Sequence, residues 1–262
     1  MNTPVGVLWK HRKPLYFIVR NEVRKRYAGS VLGLAWLVVY PVLFLALYAG
    51  VYLFIFKVKI PELSNWNYIL IVFSGLVPYL GFCEALQQGS QSLVQNSNLL
   101  KNTVFPIELI PVKTVLCSQL AFAVTLAVLG VFIISGGHLN QRLWLVPLVF
   151  CAQYLLVQGL VWILASLSVV LKDVQPLLNL GLLFLLFISP IAFTPDMVPS
   201  ALRGFLFFNP LYYLISLYRA GFFESQALRM TELLALYGMS LVFFIGGFSF
   251  FRKLQETFAE YV

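Results

Sequence analysis

Along this chain, apolar residues gather in long unbroken runs, and polar residues in short clusters between them. Charge-free windows occupy residues 27–56, 63–83, 114–137, 143–171, 174–195 and 233–251. Each approaches or exceeds the roughly 20 apolar residues that carry a helix across a bilayer, so the pattern predicts six transmembrane helices. The runs lack the strict alternation of barrel strands, and an open sheet would leave backbone groups unpaired in lipid. The expected fold class is all-α. It forms one membrane domain over residues 1–262, with an interface helix at 1–30, a six-span bundle at 31–251 and a short tail at 252–262.

Three segments depart from a plain bundle. Tyr16, Val19, Val23 and Tyr27 recur at helical spacing while Arg20, Asn21, Arg24 and Lys25 fall largely elsewhere. That pattern predicts an amphipathic helix lying on the inner leaflet. Residues 87–113 are polar, Asn-rich and broken by Pro106 and Pro111, which predicts a short cytoplasmic helix and turn. Residues 195–231 contain an apolar run too short to cross, interrupted at Asn209-Pro210. Such a stretch predicts an outer re-entrant segment between spans five and six, with residues 202–222 dipping into the bundle.

Composition agrees with lipid as the main solvent. The chain is 60% hydrophobic and 11% charged, against about 25% charged for an ordinary soluble domain. Its net charge of +8 could suggest nucleic acid, but the position of the basic residues argues otherwise. Twelve of the 18 Lys and Arg lie on one side of the predicted spans: the 10–26 cluster, Lys101, Lys113, Lys172, Arg252 and Lys253. The positive-inside bias therefore places both termini and Asn98 in the cytoplasm, and Asn65 and residues 196–230 outside. Membrane lipid, not nucleic acid, is the expected partner of this charge.

Candidate chemistry is sparse. Cys83, Cys117 and Cys151 form no CxxC pair and are expected as buried free thiols. His11 and His138 stand alone, so no metal site is expected. GxxxxGK[ST], HExxH and GxSxG are all absent, so nothing here would cradle nucleotide phosphates and no cofactor is expected on this chain. Glu84 is the sole carboxylate of the second predicted span. It is either a functional intramembrane charge or, beside Gln87 and Gln88, a wetted helix end. Trp36, Tyr40, Phe44, Tyr48 and Tyr52 follow i, i+4 spacing down one face of the first span. That stripe either packs against lipid and helices or lines a conduit suited to sugar rings.

These same residues carry a family resemblance. NEVRKRYAGSVLGLAWLVVYP resembles the junction that opens the membrane subunits of polysaccharide-exporting ABC transporters, the type-2 permeases for O-antigen, teichoic acid and capsule. LLKNTVFPIELIPVK is similar to their segment between spans two and three. LKDVQPLLNLGLLFLLFISPIAFTPDMVP followed by FNPLYYLISLYRAGFF is similar to their fifth span and outer re-entrant region. The resemblance implies a homodimeric permease, not an enzyme, joined to separate ATPase subunits that hold ATP and Mg. It implies export of a polyprenyl-pyrophosphate-linked polysaccharide across the bacterial inner membrane. It further implies ATPase docking through residues 5–27 and 92–108, centred on Asn98, Leu99, Leu100 and Lys101, with any glycan-binding domain on the partner.

Under that resemblance, Arg24, Lys25 and Arg26 become candidates for capturing the substrate pyrophosphate beside span one. The alternative is orientation and attraction to anionic lipid, worth about 1 kcal/mol per basic residue. Gly29 and Gly33 would admit a lipid or helix closely. Asn209, Pro210 and Arg219 are the candidate outer gate. Two other functions fit less of the chain: an exporter of the same fold for drugs or other lipids, and a membrane enzyme acting on polyprenyl-linked glycans. The latter would need convergent catalytic groups, and the ten acidic residues are scattered mostly through loops.

Overall fold

The structure is a computed structural model that describes residues 3–51, 65–97, 106–138, 140–191, 204, 206–224, 226–255 and 258. Among these residues there are helices and turns but no strand. The α-helices are α1 (Pro4–Lys10), α2 (Arg12–Arg26), α3 (Trp36–Gly50), α4 (Asn65–Ser90) and α5 (Ser92–Gln95), then α6 (Leu109–Ser135), α7 (Leu145–Val170), α8 (Val174–Ile188), α9 (Pro210–Phe222) and α10 (Met230–Leu254).

Five helical segments are long and apolar enough to cross a membrane: Gly33–Gly50, which contains α3, and α4, α6, α7 and α10. The fifth predicted window is shorter than expected, because α8 ends at Ile188 after 15 residues. That is about 22 Å of helix, less than the roughly 30 Å of a hydrocarbon core. Pro190 is the cause: it forces the preceding Ser189 out of the helical region, to ψ 143°. Counting α8 as a shorter sixth pass agrees with where the termini lie. Leu15 near the N-terminus and Phe251 and Phe258 near the C-terminus join one buried cluster, so both ends of the chain meet at one end of the bundle. Five crossings would have separated them.

The bundle is organised around α4 and around the pair α7–α10. Most of α4 is buried, consistent with a central position, whereas α3 is largely exposed. Helices α7 and α10 cross at Gly159 and Gly247, where a Cβ on either residue would overlap the other helix's backbone. Close backbone contact of this kind substitutes for the hydrophobic driving force that lipid does not supply.

The amphipathic face predicted for α2 holds at Val19, Val23 and Tyr27 and fails at Tyr16. The side of α2 that packs inward is Leu15 and Val19, both buried, while Tyr16 is 62% exposed. Helix α1 begins at Pro4, with the Thr3 hydroxyl accepting from Gly6 N at 3.3 Å. Between α2 and α3 the chain turns at Gly29 (φ +81°) and Gly33 (φ +50°), which occupy the left-handed region that glycine tolerates. No atom of this chain lies within 4 Å of a Cβ placed on either, so within the chain these glycines shape the turn. A second correction concerns the thiols: Cys83 and Cys117 are buried, but Cys151 is exposed on α7.

Within the segment read as re-entrant, Pro210–Phe222 is a well-formed helix in the interior. All of α9 except Pro210 and Ser216 is buried. Asn209-Pro210 does not interrupt it but starts it. The Asn209 side chain accepts from Leu211 N at 2.9 Å, and Pro210 takes the first helical position, where no donor is needed.

Candidate functional site

At the end of the bundle shared by the termini, α2 hands a basic residue to α4. Arg26 Nη1 lies 3.4 Å from Glu84 Oε1, and Nη2 donates to Gln88 Oε1 at 2.6 Å. Gln88 Nε2 closes the triangle by donating to Glu84 Oε1 at 2.8 Å. Glu84 and Gln88 are four residues apart on one helix face, which makes this bond possible. The charged side chains are 38% and 41% exposed. A pair this open to solvent contributes below about 1 kcal/mol, so it can be exchanged at low cost.

Helix α3 runs past this pair and completes a groove of about 630 Å³, lined among others by Arg26, Trp36, Tyr40, Phe44, Glu84 and Gln87. Tyr40 and Phe44 stack at 6.4 Å between centroids, and Phe44 and Tyr48 approach to 4.8 Å. Tyr48 then packs against Phe73 of α4. The groove continues past Arg26 and Gln88 into a second hollow of about 580 Å³ that includes Glu22, Lys25, Asn96 and Lys113. There Lys113 Nζ lies 3.5 Å from Glu22 Oε2 and donates to Asn96 Oδ1 at 3.3 Å. The bundle thus holds Lys25, Arg26 and Lys113 along one continuous depression bordered by aromatic faces.

The polar side of α4 also holds α8. Gln87 Nε2 donates to Asn179 Oδ1 at 3.1 Å, and Ser90 Oγ and Gln91 Nε2 both donate to Gln175 Oε1, at 2.7 and 3.1 Å. At the same end, Arg252 of α10 pairs with Glu108 at 3.5 Å, and Trp162 Nε1 donates to the Glu108 carbonyl at 3.2 Å.

The opposite end is closed by α9. Arg219 is 6% exposed. Its Nη2 donates to the carbonyls of Ile191 and Ile71, and its Nε to Ser74 Oγ. Among the described residues it forms no ion pair. Gly75 makes room for it: a Cβ there would stand 3.1 Å from Nη2. Asn209 Nδ2 donates to Ser189 Oγ at 3.0 Å, so α9 grips the end of α8 at two points. Nearby, Glu232 accepts from Tyr212 Oη at 3.1 Å and Ser216 Oγ at 2.6 Å, beside a cavity of about 320 Å³ that Arg219 also lines. Tyr218 Oη donates to Gln153 at 3.0 Å, and Gln153 Nε2 reaches the Pro78 carbonyl, tying α9, α7 and α4 together.

The ABC-2 type transporter family matches residues 14–223, from α2 through α9. The chain belongs to that family. Relatives align over nearly the whole length. The O-antigen export system permease protein RfbA of Klebsiella pneumoniae is 29% identical over 94% of this chain and 93% of its own. Its Myxococcus xanthus namesake is 27% identical over 98% of both chains. The polysialic acid transport protein KpsM of Escherichia coli is 23% identical over 90% of this chain and 92% of its own.

Within this ABC-2 family fold, the structure separates the candidate residues. It brings Arg26, Trp36, Tyr40 and Phe44 into one groove and puts Lys25 in the adjoining hollow. Arg24 is exposed and lines neither. Tyr52, and the docking residues Asn98, Leu99, Leu100 and Lys101, lie outside the described residues. Asn209 caps α9 and Pro210 and Arg219 lie on it, at the end of the bundle away from the termini. The sequence reading missed Gln88, Lys113 and Glu22 as parts of the site. Glu84 and Arg26 are 58 residues apart, and no local pattern links them. A lone carboxylate in an apolar window was the available signal.

Proposed function

We propose that this chain is the membrane subunit through which an ABC exporter moves a polyprenyl-pyrophosphate-linked polysaccharide across the bacterial inner membrane. It would act as a homodimer with separate ATPase subunits that hold ATP and Mg. The single observation carrying this reading is the groove, where a guanidinium, an amide-rich helix end and an aromatic face converge. The names of the relatives, O-antigen export and polysialic acid transport, support the same substrate class.

Each group has a role in that reading. Arg26 offers a planar fork matched to phosphate oxygens, and Lys25 adds a second cation along the same depression. Gln87 and Gln88 present amides that accept or donate to sugar hydroxyls. Trp36, Tyr40 and Phe44 supply flat apolar faces for sugar rings or for the first isoprene units. The end of the bundle bearing α1, α2 and α5 faces the ATPase, in keeping with the cytoplasmic bias of its basic residues.

The reading is tested in cells lacking the gene. Polyprenyl-pyrophosphate-linked glycan should accumulate while surface polysaccharide disappears, and the purified chain should hydrolyse ATP only when its partner ATPase is added. Normal surface polysaccharide in such cells, or ATP hydrolysis by the chain alone, contradicts the reading.

A further inference from the structure

Arg26 is not a bare cation. Its guanidinium already holds Glu84 and Gln88, and Gln88 in turn holds Glu84. Any anion that takes Arg26 must displace a carboxylate of full unit charge. Tyr40, on the rim of the groove, is 67% exposed, and Leu43 and Leu47 farther along α3 are 57% and 66% exposed, an apolar face suited to lipid. Phospholipid phosphates crowd the headgroup depth at which the basic end of α2 sits, and they far outnumber any biosynthetic carrier lipid. An unpaired Arg26 would be occupied by them.

The Glu84 carboxylate changes that competition. A phosphodiester carries one negative charge and two free oxygens, the same charge that Glu84 already offers at 3.4 Å. Exchanging one for the other gains no charge, so nothing offsets even the small loss of the Arg26–Glu84 contact. A pyrophosphate diester carries a charge on each phosphate. It can engage Arg26 with one and reach toward Lys25, in the adjoining hollow, with the other. Displaced Glu84 keeps its bond from Gln88 and is 41% exposed to solvent, so its release is cheap. Specificity is a difference of affinities, and a built-in competitor that rejects the wrong partner is one way to obtain it.

We propose that Glu84 is a specificity-determining residue of the groove: it excludes singly charged lipid phosphates from Arg26 and yields only to pyrophosphate. This rests on the reading of the groove as a pyrophosphate-lipid site, and it concerns how that site rejects the surrounding membrane.

The test uses the full chain in non-ionic detergent micelles, with farnesyl pyrophosphate as ligand and phosphatidylglycerol as competitor. The wild type should bind farnesyl pyrophosphate with an affinity that added phosphatidylglycerol changes by less than about twofold. In Glu84→Gln, which keeps the bond from Gln88 but loses the charge, phosphatidylglycerol should weaken apparent binding about fivefold, the most that an exposed ion pair can withhold. Glu84→Asp, which keeps the charge, should resist like the wild type. Arg26→Gln should bind the ligand weakly with or without competitor. If the wild type and Glu84→Gln respond alike to phosphatidylglycerol, the filter is overturned while the groove reading stands. If the wild type fails to bind farnesyl pyrophosphate even without competitor, the groove reading fails and the filter with it.

Discussion

Two arginines at opposite ends of the bundle do different work, and their surroundings explain why. Arg219 is sealed inside and held by the carbonyls of Ile71 and Ile191 and the hydroxyl of Ser74. Arg26 is half-exposed and held by side chains that a competing anion could replace. Backbone carbonyls cannot leave, so a cation saturated by them is a structural tie. A carboxylate and an amide at the rim of a groove can leave, so a cation held by them remains available. Buried charge at one end secures the fold, and exchangeable charge at the other is free to meet a competing anion.

Removing each arginine should therefore give opposite profiles. Arg219→Leu removes the donor that Ile191 O, Ile71 O and Ser74 Oγ share; the Ser74 hydroxyl still serves Ile71 O, so the Ile191 carbonyl bears most of the loss. The substitution should cost roughly 2–4 kcal/mol, given the penalty for unsatisfied buried groups, read as a clear drop in Tm of the detergent-solubilised protein. Arg219→Lys should recover only part of this, because a single ammonium cannot reproduce the fork. An unchanged Tm with lost transport would reassign Arg219 from tie to binding group.

The clamp has a smaller second component. Asn209→Ala removes both the cap on Leu211 N and the bond to Ser189 Oγ. Its expected cost is about 1–2 kcal/mol. Asn209→Asp keeps the cap and loses the donor, so it should fall between, and a double-mutant cycle with Ser189→Ala should give a coupling of about 1 kcal/mol. Additive effects would show that the Asn209–Ser189 contact does not hold α8.

Much of this architecture was legible because lipid imposes long apolar windows, and the six windows all correspond to helices. Two regions were less legible for identifiable reasons. The 202–222 region is apolar and short, and hydropathy alone could not show whether its Asn-Pro pair broke a helix or started one. The capping role of Asn209 and the first-position role of Pro210 depend on a local geometry that many Asn-Pro pairs do not adopt. The basic cluster was visible, but its three residues looked equivalent. Helical phase decides among them: Arg26 turns toward α4 while Arg24 turns away, and the pitch of α2 against α6 is set by Leu15 and Val19 packing. The carboxylate that meets Arg26 comes from a distant helix, so only the tertiary fold could reveal it.

At the groove the stability changes should shrink while the functional ones persist. Arg26→Gln breaks a pair that is well exposed, so its effect on stability should stay below about 1 kcal/mol. A Tm loss as large as that of Arg219→Leu would mean that Arg26 is also a structural tie. At the other end, Pro210→Ala occupies a first helical position that needs no donor, and should change Tm less than Asn209→Ala. Arg24→Gln, outside the groove, should leave both Tm and export near wild type, and a strong export defect there would move the site toward the exposed side of α2.

The central claim, that Arg26 belongs to the path of the lipid-linked polysaccharide, is tested most directly by measuring surface polysaccharide and inner-membrane lipid-linked glycan together in cells carrying Arg26→Gln. The account predicts normal amounts of inserted protein, loss of most surface polysaccharide and accumulation of the pyrophosphate-linked precursor. Full export by normally inserted Arg26→Gln protein would contradict it.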